Sequence, residues 1–382
     1  MNSIPLLIPE LPRAEEVLPY LVRIDANRQY TNFGPLNREF EGRLSDALSR
    51  ADQSVSVLTV ANCTLGLELA LQAMGVERGD RVLVPALTFV ATATAVIRAG
   101  GIPVFADVDI DCWSLTPDIA RRAAKEHSLK AVIPVSTYGC PLDTDGWDEF
   151  VEETGISVVV DAAGAWGNQL VGRSFDVVYS FHATKSFGIG EGGAVASTNK
   201  TRLDRIKRLC NFGIDTSLGT VTEIGTNAKL SEYHCAVGLA ALDRWETTRK
   251  ERVMHMSDYL ARLQMLCPGL IYQDKPRDGV YPLLTIGLQA GNCASEILRI
   301  LSSEGIECRR WYCPPLYQHD ALAGFPRMHD TSIADALGNR LLGLPYFISM
   351  SGAQIDRVAV TLNEIILKDN RSSAISAGVR AP

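Results

Sequence analysis

The stretch Ser180-Phe181-His182-Ala183-Thr184-Lys185, followed by Gly188-Ile189-Gly190-Glu191-Gly192-Gly193, decides the fold of this chain. Residues 176–181 form a short apolar segment typical of a buried strand, and Lys185 follows its end. A lysine between a buried strand and a glycine-rich turn is expected to face a pocket, where burial favours the neutral amine. A neutral amine can attack a carbonyl group to form an imine. An exposed lysine at a strand end fits these residues equally well, so other segments must decide.

Length and composition indicate a globular protein with two domains. The chain has 382 residues, more than one hydrophobic core usually supports, and 46% of them are hydrophobic. Its formal net charge of -7 argues against a nucleic-acid or acidic-membrane surface. The nine cysteines are scattered without metal-ligand spacing, so we interpret them as reduced thiols of a cytoplasmic protein and expect no metal. Residues 1–10 contain no basic region or long apolar run, so we expect neither a signal peptide nor a membrane span.

Short apolar segments alternate with helical segments through most of the chain. Segments that are apolar throughout, such as residues 156–160, are typical of parallel strands covered by helices on both faces. We therefore predict an α/β fold whose large domain, residues 1–250, contains a mixed, mostly parallel sheet. A long helix over residues 231–251 leads into a smaller α+β domain, residues 251–368. Residues 369–382, rich in Ser, Ala, Gly and Arg, are predicted to be a flexible tail.

Three further segments lie at the ends of predicted strands, where open α/β sheets bind ligands. Asn62-Cys63-Thr64 starts a helix, so its backbone amides can bind an anion, although a plain N-cap explains the residues as well. Asp161 ends an apolar strand, where a carboxylate requires a cationic or proton-donating partner, although an N-cap or a salt-bridged structural aspartate explains it as well. Phe89 begins a helix and either stacks on a ring or belongs to the core.

Together these segments supply an amine, a carboxylate, an anion-binding helix terminus and an aromatic face. That set fits pyridoxal 5′-phosphate (PLP). Lysine would form an imine, aspartate would keep the pyridine nitrogen protonated, and helix amides with hydroxyl groups would hold the phosphate. The spacing of about two dozen residues between Asp161 and Lys185 permits both on adjacent strands.

The order of these motifs resembles that of the DegT/StrS-type sugar aminotransferases, across about residues 25 to 365. The resemblance rests on the whole set, because each motif alone is short. The motifs are Asn62-Cys63-Thr64, Gly79-Asp80-Arg81-Val82-Leu83-Val84-Pro85, Asp161-Ala162-Ala163, the stretch from Ser180 to Lys185 with its glycines, Asn211-Phe212-Gly213-Ile214 and Gly225-Thr226-Asn227-Ala228-Lys229-Leu230-Ser231.

The resemblance implies a fold-type I PLP enzyme that works as a homodimer with shared active sites. Lys185 would hold the cofactor as an internal aldimine and move the proton, Asp161 would pair with the ring nitrogen, and Phe89 would cover the ring. The implied phosphate ligands are the amide of Cys63, Thr64, Ser180 and Asn227 of the partner subunit.

The resemblance also implies transfer of an amino group from L-glutamate to a nucleotide-linked keto-6-deoxysugar, with ping-pong kinetics. A 4-keto sugar is favoured over a 3-keto sugar, in a pathway such as lipopolysaccharide O-antigen biosynthesis. Family members with histidine at the lysine position are dehydratases, so Lys185 favours transamination. A PLP-dependent dehydratase relative and a non-catalytic PLP-binding regulator remain the alternatives.

Three positions depart from the family pattern. Gly164 stands where many members have a Gln or His that contacts the cofactor's phenolic oxygen, and water or Trp166 is the candidate replacement. Cys63 replaces a glycine, which is compatible with phosphate binding if only its amide takes part. Ser136 stands where the family often has His.

Two segments are candidate contacts of the nucleotide sugar. Residues 30–35 resemble the family's N-terminal segment near the substrate mouth. Residues 309–317 combine two guanidinium groups with aromatic side chains, which suits pyrophosphate and base contacts, although a packed loop explains them too. His182 either lines the pocket or is only hydrogen-bonded within its turn. The candidate substrate residues are Tyr30, Asn32, His182, Arg309, Arg310 and Tyr317.

Overall fold

A seven-stranded sheet forms the centre of the protein, whose computed structural model describes residues 3–376, with side chains to residue 368. The strands are β1 (Ser56–Val60), β2 (Arg81–Pro85), β3 (Ile102–Ala106), β4 (Ala131–Val132), β5 (Ser157–Asp161), β6 (Asp176–Ser180) and β7 (Gly193–Ser197). Their order is β1-β7-β6-β5-β4-β2-β3. Neighbours from β6 to β3 pair in parallel, whereas β7 runs antiparallel to both β1 and β6. The prediction of a mixed, mostly parallel sheet is confirmed.

Eight helices of the first 266 residues flank this sheet. They are α1 (Ala14–Asn27), α2 (Pro35–Leu48), α3 (Cys63–Ala73), α4 (Val90–Arg98), α5 (Pro117–Glu126), α6 (Thr144–Thr154), α7 (Lys200–Cys210) and α8 (Glu232–Leu266). One core joins α1, α2, α5, α6 and α8 to one face of the sheet, and a second core joins α3, α4 and α7 to the other. The strands are buried on both sides, which explains why they are apolar throughout rather than alternating.

A smaller unit follows α8. Its antiparallel sheet has the order β10-β11-β12, and a separate two-stranded hairpin, β8 with β9, precedes α8. The unit has its own hydrophobic core, to which the second half of α8 contributes Met256, Tyr259 and Leu263. The hairpin before α8 consists of β8 (Ile214–Asp215) and β9 (Thr220–Val221). The elements after α8 are β10 (Ile271–Tyr272), β11 (Leu284–Gly287), α9 (Ala294–Ser303), α10 (Ser332–Arg340), β12 (Leu341–Leu344) and α11 (Gly352–Ser376).

Helix α8 connects both units as one uninterrupted element. The sequence predicts a break near residue 251, but no Gly or Pro occurs between residues 239 and 266, so the helix continues. The predicted domain boundary between residues 250 and 251 therefore lies inside a helix. Ile4 forms a bridge to Ile306 and belongs to the core of the smaller unit, so the N-terminal segment packs there.

The last helix of the described chain is α11. Helix α11 extends to Ser376, into the segment 369–382 that the sequence predicts as a tail, and residues 377–382 lie outside the described residues. No helix in the described part of the chain is both long enough and apolar enough to span a membrane.

Candidate active site

A cavity of about 420 Å³ opens where β1, β5 and β6 end. Residues that follow these strands line it, as do Leu7 from the N-terminal segment and Pro282, Leu283 and Trp311 from the smaller unit. The cavity therefore lies at the carboxyl ends of parallel strands, as the fold class predicts. The predicted site residues that line it are Cys63, Thr64, Phe89, Asp161, Ser180, His182, Lys185 and Arg309.

Lys185 lies in the turn that follows β6. Its amide donates to the His182 carbonyl at 2.9 Å, and Gly190 has a φ of 102°, which favours glycine. The side chain is half-buried and lines the cavity. Burial lowers the pKa of its amine, although the neighbouring Cys63 and Asp161 act in the opposite direction. The structure thus places Lys185 in a pocket rather than on the open surface.

Asp161 ends β5 and is only 5% exposed. Its Oδ2 accepts a hydrogen bond from Thr92 Oγ1 at 2.8 Å, and its Oδ1 accepts one from the Ala163 amide at 3.1 Å. Burial raises the pKa of this carboxyl group, while Thr92, Ala163, Lys185 and Cys63 partly offset that effect. Asp161 forms no salt bridge among the described residues, so the structural ion pair considered from the sequence is not observed.

The N-terminus of α3 lies where the sequence predicts an anion site. Asn62 is its N-cap, because the side-chain Oδ1 accepts from the Leu65 amide at 2.9 Å. Within residues 3–376, the amides of Cys63 and Thr64 have no acceptor, so they stay available for an anion. Ser180 lines the same cavity, and its Oγ accepts from the His182 amide at 3.3 Å.

Gly193 brings α3 close to β6. A Cβ at this position would lie 2.8 Å from the Cys63 amide nitrogen and 2.8 Å from the Tyr179 carbonyl oxygen. Both contacts are with backbone atoms, which cannot turn away as a side chain can. Glycine at residue 193 therefore permits the spacing between the anion site and the strand that leads to Lys185.

His182 and Glu191 lie beside the lysine. His182 Nδ1 is 2.9 Å from Thr184 Oγ1, and its Nε2 is 3.7 Å from Glu191 Oε1. The two side chains are 45% and 63% exposed, and both line the cavity. His182 is thus hydrogen-bonded within its turn and also open to the cavity, which combines the two interpretations of the sequence.

Aromatic side chains form one wall of the cavity. Phe89 is 57% exposed, and its ring centroid lies 6.3 Å from that of Tyr312. Tyr312 stacks on Tyr138 at 5.1 Å with an interplanar angle of 2°. The Tyr138 hydroxyl donates to the Trp311 carbonyl at 2.8 Å. Both tyrosines have positive φ values, 57° and 62°, which non-glycine residues adopt at an energetic cost, so tertiary contacts hold them in place.

Arg309 lies at the rim of the cavity. Its side chain is exposed, and the guanidinium carbon is 4.9 Å from the centroid of the Trp311 ring. Stacking on an aromatic ring orients a guanidinium group and leaves its edge free to bind an anion. Arg309 is therefore the cationic group at the entrance.

Arg310 and Tyr317 do not reach the cavity. The Arg310 guanidinium binds the Gly338 carbonyl in the smaller unit. Tyr317 is buried, and its hydroxyl donates to Asp335 Oδ1 at 2.7 Å. The sequence placed both residues among the substrate contacts, but the Tyr317 hydroxyl and the two terminal nitrogens of Arg310 are bound within the chain.

Tyr30, Asn32 and Asn227 lie outside the cavity of their own chain. Tyr30 is 47% exposed, and its ring stacks on Tyr233 at 6.1 Å. Asn32 and Asn227 are exposed, and the backbone of Asn227 bridges to Asn211. Exposure leaves all three side chains accessible to another molecule.

Gly164 lines the cavity without a replacement for the missing side chain. A Cβ there would lie 3.3 Å from Pro282 Cγ, so the smaller unit already fills part of that space. Trp166 is 4% exposed and belongs to the core, not to the cavity lining, so it does not substitute. Ser136 lines the cavity and donates its hydroxyl to Gln169 Oε1 at 3.0 Å.

The threonine hydroxyls near Asp161 and the tyrosines of the cavity wall were not predicted from the sequence. Thr88 Oγ1 lies 3.0 Å from Thr92 Oγ1, and both residues are buried. Their i, i+4 spacing at the start of a helix was an available signal, because it places both on one face. The positions of Tyr138 and Tyr312 had no such signal, since they depend on contact between the two units.

The donor set fits the predicted PLP. One cavity combines an amine shifted toward its neutral form, a buried carboxylate without a salt bridge, and free helix-terminal amides. A cation on the ring nitrogen would supply the partner that Asp161 lacks, and a phosphate would satisfy the amides. The described residues contain no cluster of three or more His, Cys, Asp or Glu side chains that could hold a metal ion.

Comparison with known proteins gives consistent matches along the chain. The family model described as the DegT/DnrJ/EryC1/StrS aminotransferase family matches residues 13–363. The dTDP-4-amino-4,6-dideoxy-D-glucose transaminase of Shigella dysenteriae is 31% identical over 367 residues, which cover 94% of this chain and 97% of that protein.

Solved structures agree in fold. A Bacillus cereus protein assigned as a PLP-dependent aminotransferase superposes with a TM-score of 0.88 at 31% identity, covering 94% of this chain and 100% of its own. DesI, solved in the presence of its TDP-sugar product, superposes with a TM-score of 0.86 at 29% identity, covering 99% of this chain and 96% of its own.

Proposed function

Because this chain belongs to the DegT/DnrJ/EryC1/StrS aminotransferase family, we propose that its cavity binds PLP and transfers an amino group from L-glutamate to a nucleotide-linked keto-6-deoxysugar. The observation that carries the proposal is the meeting of Lys185, Asp161 and the α3 N-terminus in one cavity. PLP supplies an aldehyde that carries the amino group and a ring that withdraws electrons. The chain supplies the groups that bind this cofactor, orient it and move protons.

Cofactor binding is assigned to the groups with free polar atoms. The amides of Cys63 and Thr64, with the hydroxyls of Thr64 and Ser180, would hold the phosphate. Asp161 would bind the protonated ring nitrogen, because a buried carboxylate is stabilised by an adjacent positive charge. Phe89, whose side chain lines the cavity, would contact the ring.

Lys185 is the catalytic residue of this proposal. Its amine would hold the cofactor between turnovers and, when free, would act as the base that accepts the proton from the donor's Cα. The lowered pKa suits this role, since a larger fraction of the amine is neutral near pH 7 and can act as a base. Retention of this lysine is the reason to favour transamination over the dehydratase alternative.

The acceptor is proposed to be a nucleotide-linked 4-keto sugar. Support comes from the curated relative, which is named as a dTDP-4-amino-sugar transaminase, and from DesI with its TDP-sugar product. In this chain, Arg309 stacked on Trp311 offers a cation and an aromatic surface at the rim. A pyrophosphate with its base matches that pair. His182 also lines the cavity and is proposed to contact the sugar.

A homodimer is proposed to complete the site. Asn227 is exposed, and the hairpin before it exposes apolar side chains that a second copy would cover. Ile224 is 90% exposed, Leu218 67% and Val221 62%. We propose that Asn227 serves the phosphate of the other subunit's site. Tyr30, whose carbonyl accepts from the Glu232 amide at 3.0 Å, is proposed together with Asn32 as a substrate contact. The free cysteines among the described residues agree with a cytoplasmic location.

Purified protein provides the first test. We expect it to be yellow, to lose the visible band on addition of glutamate, and to lose the band altogether in Lys185→Ala. Lys250→Ala is the matched control, because Lys250 is exposed on α8 and pairs with Glu246. A colourless protein that takes up no added PLP would contradict the cofactor assignment. Incubation with glutamate and TDP-, UDP- and GDP-linked 3-keto and 4-keto sugars then tests the acceptor, and failure to aminate any of them would refute it.

Complementation tests the shared site. A heterodimer of a Lys185→Ala chain and an Asn227→Ala chain contains one site with both residues intact if Asn227 acts on the other subunit. A purified heterodimer should therefore have about half of wild-type activity, and a co-expressed mixture, in which about half of the dimers are heterodimers, about a quarter. If Asn227 acts within its own chain, both sites remain defective and no activity returns.

A further inference from the structure

Asp161 is held by a chain of two buried hydroxyl groups. Thr92 is fully buried in the first turn of α4 and donates from Oγ1 to Asp161 Oδ2 at 2.8 Å. The Thr92 hydroxyl uses its proton for the carboxylate. In the 3.0 Å hydrogen bond between the two threonine hydroxyls, Thr88 is therefore the donor and Thr92 Oγ1 the acceptor. Both hydroxyl protons therefore point in the same direction, toward Asp161.

The second carboxylate oxygen has separate donors. Oδ1 accepts from the Ala163 amide at 3.1 Å and lies 3.9 Å from Cys63 Sγ. Burial raises the pKa of the Cys63 thiol well above its usual range, so this group stays protonated and acts as a donor. Thr92 and the Ala163 amide therefore donate to Asp161, whereas the single thiol proton of Cys63 has two acceptors at 3.9 Å, Asp161 Oδ1 and the Val178 carbonyl oxygen.

We infer that Thr92, supported by Thr88, is a positioning residue that orients the Asp161 carboxylate toward the cofactor's ring nitrogen. The inference rests on the proposed function for the identity of the ligand, but the hydrogen bonds themselves do not. A hydrogen bond to a charged acceptor is stronger than a neutral one, and two hydroxyls in series polarise each other. Thr92 acts through Asp161 and does not line the cavity itself.

The two hydrogen bonds in series, from Thr88 to Thr92 and from Thr92 to Asp161, form a relay that opposes the effect of burial on the pKa of Asp161. Burial favours the protonated acid of Asp161, whereas a donated hydrogen bond favours the carboxylate that binds a cationic ring. The titratable groups that face Asp161 are Cys63 on α3, Lys185 after β6 and Tyr312 from the smaller unit. Loss of the Thr92 hydroxyl should therefore raise the pKa of Asp161 without changing the charge of any neighbour.

The first experiment needs no cofactor. Thr92→Val keeps the shape of the side chain and removes its hydroxyl, and Thr92→Ser restores the hydroxyl. In protein labelled with 13C-aspartate, with Asp161→Asn to assign the signal, we expect Thr92→Val to raise the pKa of Asp161 by about one unit. Thr285→Val is the matched control, because the Thr285 hydroxyl is buried in β11 without a partner among the described residues. An unchanged Asp161 titration in Thr92→Val would overturn the inference.

PLP affinity against pH is the second readout. We expect Thr92→Val to weaken binding about tenfold on the acid side and to approach wild type at higher pH, with Thr92→Ser close to wild type throughout. In an Asp161→Asn background, Thr92→Val should have no further effect, because its action passes through the carboxylate. An equal loss at every pH, or a full additional loss in Asp161→Asn, would indicate a packing role and refute the relay. If wild type binds no PLP, the proposed function fails, and the Asp161 titration still decides the relay.

Discussion

Replacing Gly193 with alanine should damage the anion site while leaving the fold in place. The added Cβ would lie 2.8 Å from the Cys63 amide nitrogen and 2.8 Å from the Tyr179 carbonyl oxygen. An ordinary contact requires more than 3.4 Å. The N-terminus of α3 must therefore move away from Gly193 in β7 by about half an ångström or more.

Two magnitudes follow from this displacement. Overpacking of a buried site costs about 1–3 kcal/mol of folding free energy, so the unfolding midpoint should fall by a few degrees. The Cys63 amide moves with the helix, and one weakened hydrogen bond to a charged phosphate corresponds to about a tenfold loss of PLP affinity. The cofactor should therefore dissociate more readily even where the protein remains folded.

The assay is thermal unfolding by circular dichroism, together with PLP titration of the apoprotein followed by absorbance. Gly42→Ala is the control, because a Cβ at Gly42 in α2 would meet nothing within 4 Å and should stabilise the helix slightly. Wild-type PLP affinity in Gly193→Ala would refute the reasoning. So would an equal loss of affinity in Gly42→Ala.

Two further predictions concern the adjacent residues Arg309 and Arg310, and the lysine at position 275. Arg309→Ala should raise KM for the nucleotide sugar about tenfold with little change in kcat, because its rim contact is made equally in the ground and transition states. Arg310→Ala should instead lower the unfolding midpoint and leave KM unchanged, since Arg310 binds the Gly338 carbonyl. The reverse pattern in steady-state kinetics would contradict this assignment. Lys275→Met should raise the unfolding midpoint at pH 7, because burial lowers the pKa of Lys275 to about 8 and the folded protein carries a poorly solvated charge below that pH. Wild-type stability should rise between about pH 8 and pH 10.5, because only the unfolded chain binds this proton there. Unfolding measurements across this pH range should therefore show that the stability advantage of Lys275→Met disappears. An advantage that does not change with pH would show that the effect comes from packing.

Much of the fold followed from local pattern. Strands that are apolar along their whole length indicated a parallel sheet covered on both faces, and the central sheet is arranged in that way. The sequence also predicts a smaller unit that begins at residue 251, and α8 continues through that position and contributes to both cores. A helix with no Gly or Pro in its second half carries no local signal of where one domain ends.

The sequence by itself determined Lys185, Asp161 and the start of α3 as the candidate site, because each follows the end of a strand and parallel strands bring their ends together. Only the tertiary structure decided which supporting groups meet them. Thr92 contacts Asp161 across 69 positions of the chain, and Trp311 and Tyr312 reach the cavity from the smaller unit. It also decided that Arg309 faces the cavity while the adjacent Arg310 binds within the small unit. Such contacts depend on distances between elements that are far apart in sequence, and the periodicity of a single element carries no information about those distances.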